Sequence, residues 1–107
     1  MIRLSGYSDD NVSTHIDGED DEIGCYDNDV AFVIGEPKAK AGQNAHGLRV
    51  RMHYGGDGRG CWAAHISPID EGVGCPWPVA VRFENYTAVV EIGCPKGTRV
   101  AHKVVKS

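Results

Sequence analysis

The 107-residue sequence has no long hydrophobic run, since no stretch approaches the ~18 consecutive apolar residues of a membrane span. Its first residues lack the basic region followed by an apolar run that marks an export signal. Nucleotide-binding, hydrolase and metalloprotease motifs are absent as well. These absences predict a cytoplasmic protein that has no contact with a membrane, holds no cofactor and is not an enzyme.

Cysteine pairs with the spacing of metal ligands are also missing. The four cysteines are Cys25, Cys61, Cys75 and Cys94, and the closest two are fourteen residues apart. A zinc site built from cysteines normally uses pairs close to C-x-x-C, so no metal site is predicted. Without an export signal, free thiols are favoured; two disulfides or a bound metal are the alternatives.

Glycine, by contrast, is abundant. Its 14 residues are about twice the usual share and fall between alternating runs, as turn residues do. Residues 36–47 contain helix formers but are interrupted by Pro37 and two glycines, which predicts a loop. The alternating runs predict an all-β protein, a single domain over residues 1–107. Its expected architecture is an antiparallel β-sandwich or a small open barrel of six to seven short strands.

The strongest strand pattern is a hairpin over residues 48–67, with arms LRVRMHY and CWAAHIS around a glycine-rich turn. Apolar side chains occupy one face of both arms if His53 lies opposite Cys61 and Arg49 opposite His65. The other face is a candidate site, or else the solvated face of an antiparallel sheet. Its members are Arg49, Arg51, His53, Cys61, His65 and Ser67, of which Arg49, Arg51 and His53 are predicted to contact a partner.

A second hairpin is predicted over residues 79–92, with Glu84 and Asn85 as its loop, so that Phe83 faces Tyr86. Further strands are expected at residues 11–16, at the apolar run 30–34 and at residues 98–105. Trp77 stands between two prolines. It either covers one end of the core or projects as an aromatic anchor for a partner.

The net charge of −4 conceals two parts of opposite sign: residues 1–36 contain ten acids and one arginine, whereas residues 37–107 contain ten bases and five acids. The acidic N-terminal segment, residues 1–29, is predicted to be mobile, with the run DGEDDE at 17–22 as an exposed loop. This acidic surface suits a protein partner with a basic surface; a solvated loop or an irregular calcium site is the alternative. The candidate contact residues are Asp17, Glu19, Asp20, Asp21, Glu22, Asp27 and Asp29.

Two other classes of function have less support in the sequence. A thiol-dependent enzyme would use His53 opposite Cys61, but no third residue that orients the histidine is identifiable. Direct binding of nucleic acid would use the scattered arginines, but the chain is acidic overall and its aromatic residues do not alternate with the basic ones. A non-catalytic protein-binding module therefore fits best.

The short chain, the acidic beginning, the run GCYDNDV (24–30) and the run PWPV (76–79) resemble, in general style, the small β-rich accessory proteins encoded by phages and prophages. This resemblance carries no site residues. It implies an inhibitor of a host defence protein, comparable to an anti-CRISPR protein and acting in the host cytoplasm. The alternative that it implies is a structural component of the virion or of its assembly. Either would be expected as a monomer or a homodimer.

Overall fold

The computed structural model describes residues 1–8, 10–26, 28–36, 46–55, 61–70, 72 and 74–106. Within these ranges the chain forms nine strands and no helix, so they contain no helical segment that could cross a membrane. The strands are β1 (Ile2–Ser8), β2 (Asn11–Ile16), β3 (Glu19–Gly24), β4 (Asp29–Glu36), β5 (His46–Tyr54), β6 (Trp62–Pro68), β7 (Val79–Glu84), β8 (Thr87–Ile92) and β9 (Val100–Val105).

The strands form two antiparallel sheets. The larger has the order β3-β2-β1-β8-β7 and the smaller the order β6-β5-β4-β9. Alternate residues of each strand point into the space between the sheets, where the largest buried side chains are Trp62, Phe32, Ile2, Leu4 and Ile34. The prediction of an all-β, sandwich-like protein is confirmed, but the described part contains nine strands instead of six to seven.

One of the two unpredicted strands, β1, lies in the middle of the larger sheet between β2 and β8. Ile2 and Leu4 are fully buried. Gly6 continues the same row, and the indole ring of Trp62 lies so close to it that a Cβ atom there would overlap the ring. A glycine therefore occupies an inward position where an alternating pattern would have an apolar side chain. Because Gly6 interrupts the apolar row in this way, alternation alone does not predict the strand.

The other unpredicted strand, β3, contains most of the acidic run: the prediction that these acids are exposed is confirmed, but the prediction of a loop is wrong for residues 19–22. Asp17 and Gly18 both have positive φ angles, 50° and 85°, as a type I′ hairpin turn requires. This turn returns the chain along β2, with Ile16 paired to Glu19 and Val12 to Ile23. An Asp-Gly dipeptide after an alternating run is itself a hairpin signal, and it overrides the low strand propensity of the acids.

The hairpin formed by β5 and β6 has its predicted apolar face, but its register is wrong by two residues. His53 pairs with Ala63 and Arg49 with Ser67, so Tyr54 lies opposite Trp62. The two aromatic rings are 5.3 Å apart between centroids. Alternation determines only which face a residue takes, and a shift by two leaves every face unchanged. Of the predicted glycine-rich turn at 55–60, residues 56–60 lie outside the described residues.

The hairpin formed by β7 and β8 turns at Asn85 and Tyr86, where φ is 52° and 63°. The prediction of Glu84 and Asn85 as the loop is therefore wrong, and Phe83 pairs with Ala88 instead of Tyr86. The larger sheet has one strand more than the smaller. The edge strand β6 of the smaller sheet packs against β8. Strand β7, the next strand beyond β8, therefore lies beyond the edge of the smaller sheet. Two of its inward side chains, Val81 and Phe83, consequently remain exposed, whereas Val79 is partly buried against the core.

The remaining predictions of strands agree with the structure. Residues 11–16 form β2, the run 30–34 lies within β4 between β5 and β9, and residues 100–105 form β9. Most of the acidic segment 1–29 belongs to β1, β2 and β3. The predicted loop at 36–47 falls largely on residues 37–45, which are outside the described ranges.

Candidate functional site

A cleft of about 550 Å³ opens between the sheets at the end where β2 and β3 face β9. Four apolar side chains form its floor: Ile16, Ile23, Phe32 and Val100. Its rim is polar and carries three carboxylates, one ammonium group and one imidazole, from Asp17, Glu19, Asp21, Lys96 and His102. The cleft therefore combines an apolar floor with an excess of negative charge.

The acidic run reaches the cleft because β3 is an extended strand with two faces. Glu19 and Asp21 pair with Ile16 and Thr14 on the inner side, and both of these acids line the cleft. Asp20 and Glu22 point to the outer side, as alternation in a strand requires. A loop would not separate the four acids in this way, so the strand divides them into an inner pair and an outer pair.

The β2–β3 turn is tied to the opposite sheet by Asp17. Its Oδ2 accepts a hydrogen bond of 2.8 Å from the backbone N–H of Gly97, in the turn that precedes β9. Lys96, the preceding residue, lines the cleft beside this contact. The bond joins the two sides of the cleft at one end, so Asp17 has a structural contact in addition to its charge.

The outer acids differ in their contacts. Asp20 Oδ1 lies 2.6 Å from Nδ1 of His15, its cross-strand partner, and the two side chains are 81% and 34% exposed. Such an exposed pair contributes little to stability. Within the described part of the chain, the carboxylates of Glu19, Asp21 and Glu22 have no cationic side chain within 4.0 Å. These three acids are therefore available to an external cation.

The wall opposite β3 contains residues that the sequence analysis did not select. His102 pairs with Phe32 across β9 and β4, and their rings lie 6.2 Å apart between centroids. The sequence analysis predicted a strand at residues 98–105, and the row of Val100, His102 and Val104 on it is the one that faces inward. The missing information was the position of β9 at an open end of the sandwich, which the row itself does not reveal.

Asp29 does not belong to the exposed acidic surface, contrary to its selection as a partner contact. It is 1% exposed. Its Oδ2 accepts hydrogen bonds from Nε and Nη2 of Arg51, at 2.7 and 2.6 Å, and its Oδ1 lies 2.8 Å from Nδ1 of His53. The charge of Asp29 is thus neutralised within the fold, and two of the predicted basic contact residues are occupied in doing so.

The predicted pairing of His53 with Cys61 is not formed. The N–H of Gly55 donates to the carbonyl of Cys61 at 2.9 Å, so Cys61 lies opposite Gly55 and diagonal to His53. Diagonal neighbours are about 7 Å apart, too far for a hydrogen bond between a thiol and an imidazole. Asp29 is the orienting carboxylate that the sequence analysis did not find, but the histidine it holds has no adjacent thiol.

The other selected residues lie apart from the cleft. Arg49 is exposed on the outer face of the smaller sheet, and Asp27 lies outside the described residues. Trp77 is half-buried and packs against the hydrophobic core, near Gly35. Its position supports the role of covering one end of the core, and its partly exposed ring is a weaker candidate for a partner contact than the cleft.

The described residues contain no group of three or more histidine, cysteine, aspartate or glutamate side chains arranged to hold a metal ion. No disulfide links the four cysteines, of which Cys25 and Cys94 are buried and Cys75 is exposed. No protein family, curated protein or solved structure matches the chain. The geometry and charge of the described residues are therefore the basis for the function proposed below.

Proposed function

We propose that this protein is a non-catalytic protein-binding module and that its acidic cleft, together with strand β3, receives a basic segment of a partner protein. The observation that carries the proposal is the composition of the cleft, in which three carboxylates and one ammonium group surround an apolar floor. Such a site favours a segment that has both cationic and apolar side chains.

The edge position of β3 suggests how the segment binds. The turn at Asp17 and Gly18 makes Ile16 and Glu19 a hydrogen-bonded pair, and such pairs alternate along the hairpin. The backbone groups of Asp20 and Glu22 therefore point away from β2, toward the free edge. An added strand would bond to them, as in β-augmentation. Its alternate side chains would lie over the cleft beside Glu19 and Asp21.

Charge then selects the partner. Cross-strand pairs of opposite charge contribute roughly 0.2–1 kcal/mol each, and like charges at the same positions are destabilising. The acids of β3 would thus disfavour pairing with a second β3 and favour a lysine- or arginine-rich strand. A host defence protein that binds nucleic acid, the partner that the resemblance to phage proteins implies, has basic surface of this kind.

The test uses a fluorescently labelled peptide of alternating lysine and valine, with a peptide of alternating glutamate and valine as the negative probe. Fluorescence anisotropy measures the Kd of each for the full chain at several salt concentrations. The lysine peptide should bind and weaken as ionic strength rises, because the attraction is partly electrostatic. The glutamate peptide should not bind.

Two double variants distinguish the cleft from a general effect of negative charge. Glu19→Gln with Asp21→Asn removes both inner charges, whereas Asp20→Asn with Glu22→Gln removes two charges from the outer side of the same strand. The inner variant should weaken binding at least about tenfold more than the outer variant, and neutralising all four acids should abolish binding. Equal effects of the two double variants would refute the cleft as the site.

A further inference from the structure

Strand β7 exposes apolar side chains on the face that its sheet buries elsewhere. Val79, Val81 and Phe83 share the inward face with Ala88, Val90 and Ile92 of β8, and the β8 side chains are buried. Val81 and Phe83, however, are 53% and 61% exposed. The same face of the sheet is thus covered at β8 but exposed at Val81 and Phe83 of β7, which is the outermost strand.

The free edge of β7 also has unpaired backbone groups at these same residues. The N–H of Gly93 donates to the carbonyl of Pro78 at 2.9 Å, so residues 78 and 93 form a hydrogen-bonded position of the ladder. Alternation makes residues 80, 82 and 84 the other bonded positions on β7. The N–H and C=O groups of Val79, Val81 and Phe83 consequently point away from β8, toward an additional strand.

The edge of β7 carries less charge than the edge of β3, at the other side of the same sheet. Edge strands are usually protected by charges, by proline or by a bulge. The edge strand β3 has four consecutive acids. On β7 the only charged side chains are Arg82 and Glu84, both on the outer face, and its ladder with β8 is regular.

The outer face of β7 is balanced in charge. Arg82 Nε donates to Oε2 of Glu84 at 2.8 Å, and its Nη1 donates to Glu91. The hydrogen bond to Glu84, followed by that to Glu91, raises the pKa of the Arg82 guanidinium. Neither face of β7 therefore presents net charge that would repel an identical strand.

We propose that β7 pairs in antiparallel orientation with β7 of a second copy of this chain, about a two-fold axis at Val81, and forms one ten-stranded sheet. This pairing places Val79 of each copy opposite Phe83 of the other on the apolar face. On the outer face it places Arg82 opposite Ala80. The surface is self-complementary, as a two-fold dimer requires.

The same charges select the register. Moving the axis to residue 82 would place two arginines opposite each other, which is destabilising. Moving it to residue 80 would place Phe83 opposite residue 77 of the other copy, which precedes β7 and is not part of the strand. With the axis at Val81, all three residues that have free backbone groups pair with the other copy. In this register no like charges lie opposite each other. The inference does not depend on the acidic cleft.

Sedimentation velocity of the full chain, in a concentration series up to about 1 mM, detects even a dimer with a Kd of about 1 mM. The wild type should dimerise. Val81→Lys places a charge in the interface and should weaken self-association at least about tenfold. Val104→Lys is the matched control, because Val104 is a valine on an edge strand of the other sheet and is 44% exposed. It should dimerise as the wild type does.

Val81→Pro gives a second test of the edge itself. Because the N–H of Val81 points away from β8, proline should remove the donor for the second copy without breaking a bond of the hairpin. Circular dichroism establishes that each variant is folded. A wild type that is monomeric throughout the series overturns the proposal, as does a dimer that both Val81 variants leave unchanged.

Amide hydrogen exchange provides a readout that needs no variant. The amides of Ala80 and Arg82 are bonded to β8 and should be protected at every concentration. The amides of Val81 and Phe83 should exchange quickly in dilute protein and at least about tenfold more slowly in concentrated protein. Fast exchange of these two amides in a concentrated, dimeric sample would show that the copies meet through another surface.

Discussion

The buried carboxylate of Asp29 should be essential to the stability of the fold, and Asp29→Asn tests this. Its side chain is 2% exposed and has short contacts with Arg51 and His53. The variant keeps the volume of the side chain but removes its charge. The amide nitrogen replaces one carboxylate oxygen and cannot accept the hydrogen bond that this oxygen accepted. Hydrogen bonds to charged groups contribute about 1.5–3 kcal/mol each, and removing one partner of a buried pair costs about 3–5 kcal/mol.

The expected loss lies at the lower end of that range because the two partners are not buried. The side chains of Arg51 and His53 are 50% and 34% exposed, so water can solvate them once the carboxylate charge is gone. We therefore expect the free energy of unfolding to fall by about 3 kcal/mol. With a urea m-value of about 1.5 kcal/mol/M, the midpoint should move by about 2 M.

The chain contains a matched control in Asp20→Asn. Asp20 also bonds to a histidine, at 2.6 Å, but its side chain is 81% exposed. Removing an exposed partner should cost at most about 0.5 kcal/mol. Urea unfolding of both variants and the wild type at one protein concentration makes the comparison. Equal shifts of the midpoint for the two variants would refute the argument from burial.

Two further predictions concern the backbone. Gly6→Ala should lower the free energy of unfolding by about 3 kcal/mol or more, because its Cβ would overlap the ring of Trp62. Gly24→Ala, whose nearest neighbour would be 3.9 Å away, should change it by less than about 0.5 kcal/mol. Tyr86→Gly should raise the free energy of unfolding by about 0.5–1 kcal/mol, since Tyr86 is 82% exposed and has a φ of 63°. Thermal unfolding of the three variants checks both predictions. A lower stability of the Tyr86→Gly variant would contradict the account of the turn.

The sequence was sufficient to predict the fold class and the faces of the strands, because alternation of apolar and polar residues indicates directly which side chains point inward. It predicted both large hairpins, β5–β6 and β7–β8, with the correct apolar rows. It could not fix their registers, since a shift by two residues preserves each face. The deciding contacts, such as that of Trp62 Nε1 with the carbonyl of Ser8 at 2.6 Å, join residues far apart in the chain.

The candidate site was predictable only in part. The acids of β3 were selected from their charge, and Glu19 and Asp21 do line the cleft. No pattern in the sequence separates them from Asp29, which has the same charge but is buried beneath Arg51. The opposite wall, with Phe32 and His102, depends on how two sheets from distant segments pack. That arrangement is a property of the tertiary structure, and no local pattern contains it.

The two proposed surfaces lie on opposite edges of the larger sheet, since β3 and β7 are its outermost strands. Pairing through β7 would therefore leave both clefts open, at the two ends of a ten-stranded sheet. With strands about 4.8 Å apart, the two copies of β3 would be roughly 40 Å apart. A partner with basic segments at that separation would gain affinity from binding at both ends. Val81→Pro should remove this gain and leave the affinity for a single basic peptide unchanged.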